Sequence, residues 1–478
     1  EGLDATRRLG ASQWDHLFFA AGAYAALLAG DGKAAGEYLR KLKAVLPASR
    51  HFAECQYDHL CAWHHLLRGD PQGAAAHAGR ALANAEAAGA VFPEILCRLA
   101  AANIAEGRGE REEAKAHLLG IGDRIRSSGN RMFEFMERLT AARIAFGSGD
   151  EGGGLRALRG GMKLGRKQEY VSLFWWWEPE AMTRLCIKAL EAGIEEGYVL
   201  GLIRKNRLVP GPSAPDLEKW PWPVKVYTLG RFGLIVGGKV LPSVRKTRQK
   251  PLLLLKALIA LGGREVPEEQ LSEILWPDAD GDLAHQSLAK TLERLREMLG
   301  DDRAVLLRDG RLTLNNRHCW VDVWELERTL GRADAARKVG AHAPDGRKVA
   351  RFAERAIALY RGTFLSGETF CSCIVTYRER LRSKFLRMVV QAGRHWEKAE
   401  EWEKAIACYQ KGLEVDPVSE EMCRGLISCN VRMGRAPEAH AVYQRCCKTL
   451  TTVLGVSPSP DLQAILTSAP PAPGPVRK

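Results

Sequence analysis

The chain has 478 residues, too many for one hydrophobic core, so about three domains are expected. Hydrophobic residues make up 46%, a globular composition that excludes a disordered chain. The formal net charge of +13 suits a polyanionic partner, nucleic acid or an acidic membrane surface, and no apolar run approaches the roughly 20 residues that span a bilayer.

The first part of the chain repeats itself. Gly30-Asp31, Gly69-Asp70, Gly109-Glu110 and Gly149-Asp150 recur at intervals of 39, 40 and 40 residues. Each pair precedes an Ala-rich amphipathic stretch followed by a second one, the pattern of stacked helical hairpins. A single hairpin cannot bury its apolar face, but a stack can. The glycine ends one helix and the acid opens the next. Residues 1–208 therefore read as a tetratricopeptide-like α-solenoid that receives a signal ligand or protein partner. Late in this array comes FWWWEPE, residues 174–180. Three adjacent tryptophans cannot share one face of a helix. They read either as aromatic packing where the array closes or as a partner surface formed by Trp175, Trp176 and Trp177.

Residues 209–223, VPGPSAPDLEKWPWP, hold five prolines and read as a linker. A different texture follows over 224–320. VKVYTLGRFGLIVGGKVLP has β-branched and aromatic residues around Gly237-Gly238, a hairpin signature. QKPLLLLKALIALGG predicts a helix ending at Gly262-Gly263, and Pro267 starts a second helix with acids in its first turn. The third helix is HQSLAKTLERLREML, 285–299. Its leucines at 288, 292, 295 and 299 line one side. AVLLRDGRLTLNN then sets Asp309-Gly310 between two short strands. From 321 to 466 the chain is helical again, and Ala405 and Ala439 lie 34 residues apart, the tetratricopeptide period. The tail, 467–478, is Pro-rich and reads as disordered. The fold class is thus mainly α, with an N-terminal tetratricopeptide-like solenoid, a central α+β winged helix-turn-helix and a C-terminal tetratricopeptide-like helical domain.

No enzyme is read from these residues. GGMKLGRKQ, 160–168, has Arg166 where a phosphate-binding loop needs lysine and no hydroxyl after Lys167. There is no GxSxG elbow and no HExxH pair. Cys371/Cys373 and Cys446/Cys447 lack the second ligand pair that a metal site needs, and His64-His65 beside Cys61 reads as core or surface. No cofactor or metal is called for, and the 12 cysteines, scattered through apolar patterns, read as reduced, buried thiols of a cytoplasmic protein.

Three short helices followed by a β-hairpin make a winged helix, whose third helix fits a major groove. Opposite its leucines stand His285, Gln286, Lys290, Glu293 and Arg294. Glutamine can bond adenine, lysine or arginine guanine, and glutamate the amino group of cytosine. Arg308 and Arg311 flank the wing turn and would reach a minor groove or a phosphate, and Arg245, Lys246 and Arg248 in RKTRQK, 245–250, supply further phosphate-binding charge.

With YTLGRFGLIVGGKVL, LLLLKALIALGGREVPEEQLSEILWPD and QSLAKTLERLREMLG in view, residues 224–320 resemble the OmpR-type winged helix of SARP-type bacterial transcriptional activators. The block from 321 to 466, opening on WVDVWELE, resembles the bacterial transcriptional activator domain of that family, and the N-terminal array is similar to the repeat region of MalT-like regulators. The resemblance implies a cytoplasmic activator that binds promoter repeats in double-stranded DNA, as a homo-oligomer in contact with RNA polymerase. Any ATPase module of the MalT-like kind would lie upstream of Glu1. The alternative is a helical-repeat scaffold whose winged helix binds protein or RNA.

Overall fold

The computed structural model describes residues 14–46, 51–173, 176–211, 218–242, 249–339 and 346–467. Of the expected tail, 467–478, Thr467 ends the last helix and residues 468–478 lie outside the described residues. The chain forms two compact units, Glu1–Pro221 and Trp222–Lys478. The fold is mainly α with a small sheet component, as the sequence reads.

In the first unit α1 (Asp15–Leu28) pairs with α2 (Gly32–Ala44), α3 (His51–Leu67) with α4 (Pro71–Ala87), and α5 (Val91–Arg108) with α6 (Arg111–Leu119). After the short α7 (Gly122–Ser128), α8 (Arg131–Gly147) pairs with α9 (Glu151–Lys167), and α10 (Pro179–Glu191) with α11 (Glu196–Lys205). The Gly-acid pairs do what their chemistry predicts. Gly30, Gly69, Gly109 and Gly149 all sit at positive φ, between 73° and 82°. Asp31, Asp70 and Asp150 then accept from the amides of Ala34, Gly73 and Gly153 at 2.8–2.9 Å. Glu110 makes no such cap and pairs with Arg108 instead (2.6 Å). Buried alanines, among them Ala35, Ala74, Ala81 and Ala114, let neighbouring helices approach closely.

The tryptophan run turns inward. Trp175 lies outside the described residues, but Trp176 and Trp177 are 3% and 6% exposed. A partner surface at these two is therefore corrected to internal packing: Trp176 stacks on Trp63 of α3, centroids 6.1 Å apart.

The second unit opens with β1 (Val224–Tyr227), β2 (Gly233–Val236) and β3 (Lys239–Val240), the last two joined through Gly237-Gly238. Then come α12 (Gln249–Ala260), β4 (Val266–Pro267), α13 (Glu268–Leu275) and α14 (Gly281–Leu299). Pro267 ends β4 and stands as N-cap of α13, one place before the helix it was expected to start. The strands β5 (Val305–Arg308), β6 (Arg311–Leu314) and β7 (Cys319–Val321) follow. The sheets run β3-β2-β1-β7 and β4-β6-β5, with β7 parallel to β1. The helical block has α15 (Asp322–Val339), α16 (Gly346–Leu359), α17 (Ser372–Lys398), α18 (Trp402–Val415), α19 (Glu420–Arg432), α20 (Ala436–Leu454) and α21 (Pro460–Thr467). Ala405 and Ala439, the pair 34 apart, are both fully buried on α18 and α20.

One core runs from Val224 through the leucines of α12 and α14 to Phe385 and Ala392 of α17. Its seam is polar. The Asp322 carboxylate accepts from Thr228 N (2.8 Å), Thr228 Oγ1 (2.6 Å), Leu229 N (2.9 Å) and Val323 N (2.8 Å). Burial pushes its carboxyl above the usual carboxylate range, against the pull of those bonds. Gly230 N then donates to Thr363 O and Leu365 N to Thr228 O. Cys371 and Cys373 are joined by a disulfide, a departure from the all-thiol expectation; Cys371 caps α17, which brings the two sulfurs together in its first turn. The other ten cysteines are free.

Asp322→Ala is expected to lower the unfolding free energy of the chain's second unit by about 3 kcal/mol, because it leaves buried N–H donors without partners. Urea denaturation of the full chain measures this, and Asp322→Asn, which keeps acceptors on only one side, should fall between.

Candidate nucleic-acid interface

The geometry of α14 begins with its caps. Asp280 accepts from Gly281 N (2.8 Å), and Gly300 closes the helix at φ 65°. The helix starts at Gly281, earlier than the leucine spacing alone marks. Leu288, Leu292, Leu295 and Leu299 are 0–3% exposed, packed against α12, as their spacing requires. Each such burial contributes about 1.5–3 kcal/mol, which fixes the rotation of the helix about its axis.

That rotation sends His285, Gln286, Lys290, Glu293 and Arg294 to the surface. Among the described residues none of these five side chains makes a hydrogen bond or an ion pair. Lys290 and Glu293 are three apart, and the pairing is open to them. Elsewhere such spacings are used: Glu134 binds both Arg131 and Arg138, and Lys411 binds Glu414. The outer face of α14 thus keeps its donors and acceptors uncommitted. Ala289, also exposed, puts a methyl-sized apolar surface among them.

The wing is held tightly. Asp309 and Gly310 take φ 47° and 68°, both positive as a two-residue hairpin demands, and Arg308 faces Arg311 across the ladder. β4, which the sequence did not announce, pairs with β6 through Val266 and Leu312, and Glu268 N donates to Gly310 O (2.9 Å). Arg308 is exposed and has no side-chain partner among the described residues. Arg311 is exposed too, but its Nη1 donates to Glu265 O (3.1 Å), so part of its guanidinium serves the wing itself. Arg245, Lys246 and Arg248 lie outside the described residues. Lys250, in the same basic run, donates to Leu275 O (2.7 Å) and sits over the Trp276 ring.

Arg296 was missed from the sequence, where it is one more charge on a mixed helix. Its Nε and Nη2 both donate to Val305 O, at 3.0 and 2.9 Å, tying the first wing strand to α14. At the other end of the same loop His318 Nδ1 lies 2.7 Å from Asp301 Oδ2. Burial pushes the Asp301 carboxyl up, but bonds from Arg303 and His318 outweigh it and hold it below the usual range. Helix and wing are therefore one presenting surface. Among the described residues no group of His, Cys, Asp or Glu could hold a metal ion, and no helix is long and apolar enough to cross a membrane.

Comparison with known proteins shows what the chain is similar to. Residues 321–468 match the bacterial transcriptional activator domain. The chain is also 27% identical over 274 residues to the regulatory protein AfsR of Streptomyces coelicolor, covering 53% of this chain and 26% of that one. The AfsR of Streptomyces griseus is 26% identical over 261 residues, covering 53% and 25%. The chain therefore spans about a quarter of the length of the curated relatives it matches. Among solved structures, Mycobacterium tuberculosis EmbR in complex with a low affinity phosphopeptide is 20% identical, covers 52% of this chain and 64% of that one, and has a TM-score of 0.39. The resemblance to SARP-type activators read from the sequence is borne out, and the relatives are regulatory proteins.

Replacing Arg296 by alanine is expected to cost about 1–3 kcal/mol of stability, from the loss of charged hydrogen bonds to Val305 O. Arg308→Ala, on a side chain with no partner, should stay within about 0.5 kcal/mol of the parent. Thermal melts of the two variants side by side check the contrast.

Proposed function

We propose that this chain is a sequence-specific DNA-binding transcriptional activator whose winged helix reads promoter DNA through α14. The observation that carries the reading is the outer face of that helix: five polar side chains, exposed and unpaired, held in place by four buried leucines on the opposite side. A major groove admits one α-helix, and these residue types match what its base edges offer. Gln286 suits adenine, Lys290 and Arg294 suit guanine, and Glu293 suits the cytosine amino group. His285 lies at the entry end. Arg308, and Arg311 with its remaining donors, would touch backbone or minor groove beside the wing. Arg245, Lys246 and Arg248 add charge for phosphates, consistent with the net charge of +13.

The expected division of 1–208, 209–223, 224–320 and 321–466 into sensor, linker, DNA-binding and activator parts is kept as part of this reading. The helical block would contact RNA polymerase and a neighbouring copy of the chain on repeated sites, and the N-terminal repeats would receive a signal ligand or protein. The working compartment would be the cytoplasm. An RNA-reading alternative is disfavoured because α14 carries no Phe, Tyr or Trp on which bases could stack.

Binding to a promoter fragment should weaken steeply with salt, log K falling by about 0.9 per log unit of salt for each phosphate contacted. Lys290→Ala and Arg294→Ala should each cost about 1–3 kcal/mol, concentrated at one base position if the contact is bidentate. Fluorescence titrations against a set of single-base operator variants measure both. A salt-independent affinity, or variants that bind as the parent does, would sink the proposal.

A further inference from the structure

The first helices of successive hairpins, α3, α5 and α8, pack side by side in the first unit, and an extended stretch of the chain itself lies against them. This stretch is Trp176-Trp177-Glu178, between α9 and α10, with no regular structure. Each of its parts meets a separate recognition element. The Trp176 ring rests on Trp63 and His59 of α3, with centroids 6.1 and 5.5 Å away. Trp63 Nε1 donates to the main-chain carbonyl of Trp177 (2.8 Å), across 114 residues of sequence. Arg143 of α8 donates to Glu178 Oε1 (3.0 Å), and the same Nη1 reaches Asn103 Oδ1 of α5 (2.9 Å). Trp176 Nε1 also donates to Glu178 Oε1 (2.6 Å), so the segment's own indole helps to present its carboxylate.

An aromatic platform, a side-chain donor aimed at a backbone carbonyl, and a buried cation for a carboxylate are what a groove needs to hold an extended peptide by chemistry and not by apolar filling alone. The stacking of repeats offers such a continuous face. A water-sized cavity of about 30 Å³ lies beside the segment, lined by Asn103, Thr140, Arg143, Trp177 and neighbours. We propose that this face is a peptide-binding groove, filled in cis by Trp176-Trp177-Glu178, and that an extended segment of a partner protein carrying an aromatic pair followed by a carboxylate displaces it. The cis segment competes at an effective concentration set by its short tether, which hides the groove from weak ligands. The inference concerns the repeats alone and does not depend on the DNA-binding reading.

The test uses the full chain and a fluorescein-labelled peptide GSWWEGS, read by fluorescence anisotropy. A variant with Trp176→Ser, Trp177→Ser and Glu178→Ser empties the groove. It should bind the peptide saturably, with the parent chain at least about tenfold weaker because its own segment competes. Adding Arg143→Gln to the emptied variant, or using GSWWQGS as the probe, should remove most of that binding. Equal affinity for the parent and the emptied variant, or no saturable binding to an emptied variant that melts cooperatively, overturns the proposal. If the emptied variant does not melt cooperatively, Glu178→Gln, which keeps both indoles in place, answers instead. It should bind the peptide several-fold more tightly than the parent, and unchanged or weaker binding overturns the proposal equally.

Discussion

The buried carboxylate of Asp322 decides how the second unit is built. β1 ends at Tyr227, so the next amides, Thr228 and Leu229, have no ladder partner in the sheet. Left dry and unpaired they would be costly. Asp322 takes both, together with the Thr228 hydroxyl, while Thr228 O accepts from Leu365 N and Gly230 N donates to Thr363 O. Four polar backbone groups at the end of β1 are thereby answered from the helical block, 93 residues and more away in sequence. The approach is so close that only glycine fits on either side. A Cβ on Gly230 would stand 3.1 Å from Arg361 O, and one on Gly362 would stand 2.9 Å from Gly230 Cα. Beside this seam Lys256 of α12 pairs with Glu368, and Arg378 donates to the carbonyls of Phe364, Leu365 and Glu368.

The consequence is mechanical. The strand β7 leaves the wing, pairs in parallel with β1, and runs directly into α15 at Asp322. No flexible joint separates the winged helix from the helical block, and their apolar side chains form one core. The direction in which α14 faces is therefore set relative to the helical block as firmly as by its own leucines. Any contact that the block makes with a neighbouring molecule is transmitted to α14 without the entropy cost of ordering a linker.

What the sequence made legible is what local rules govern. The Gly-acid turns, the leucine spacing of α14, and the Asp309-Gly310 hairpin each depend on residues a few places apart, so periodicity and turn chemistry were enough. The outer face of α14 could be read because burying Leu288, Leu292, Leu295 and Leu299 leaves its residues only one direction. What stayed hidden is non-local. The two-residue strand β4 has no period to detect and exists because β6 lies beside it. Arg296 looks like its neighbours until Val305 O arrives beside it, and nothing local announces the bond from Lys250 to Leu275 O. The burial of Trp176 and Trp177 depends on Trp63, more than a hundred residues earlier, which no window of sequence can connect.

That last contact changes how the first unit should respond to force or ligand. In a simple repeat array each hairpin touches only its neighbours, and a disturbance at one place decays along the stack. Trp176 to Glu178 break that rule by joining α3, α5 and α8 to the entry of α10 at once. Arg143 sharpens the link, since it is almost fully buried and has two carboxylates, Glu106 and Glu178, as its counter-charges. Removing one of them leaves a buried cation half-compensated, a cost that falls on α5 and α8 together. A unit cross-linked in this way has fewer intermediate states than a bare solenoid of the same length. It is better suited to change between two arrangements than to bend by degrees.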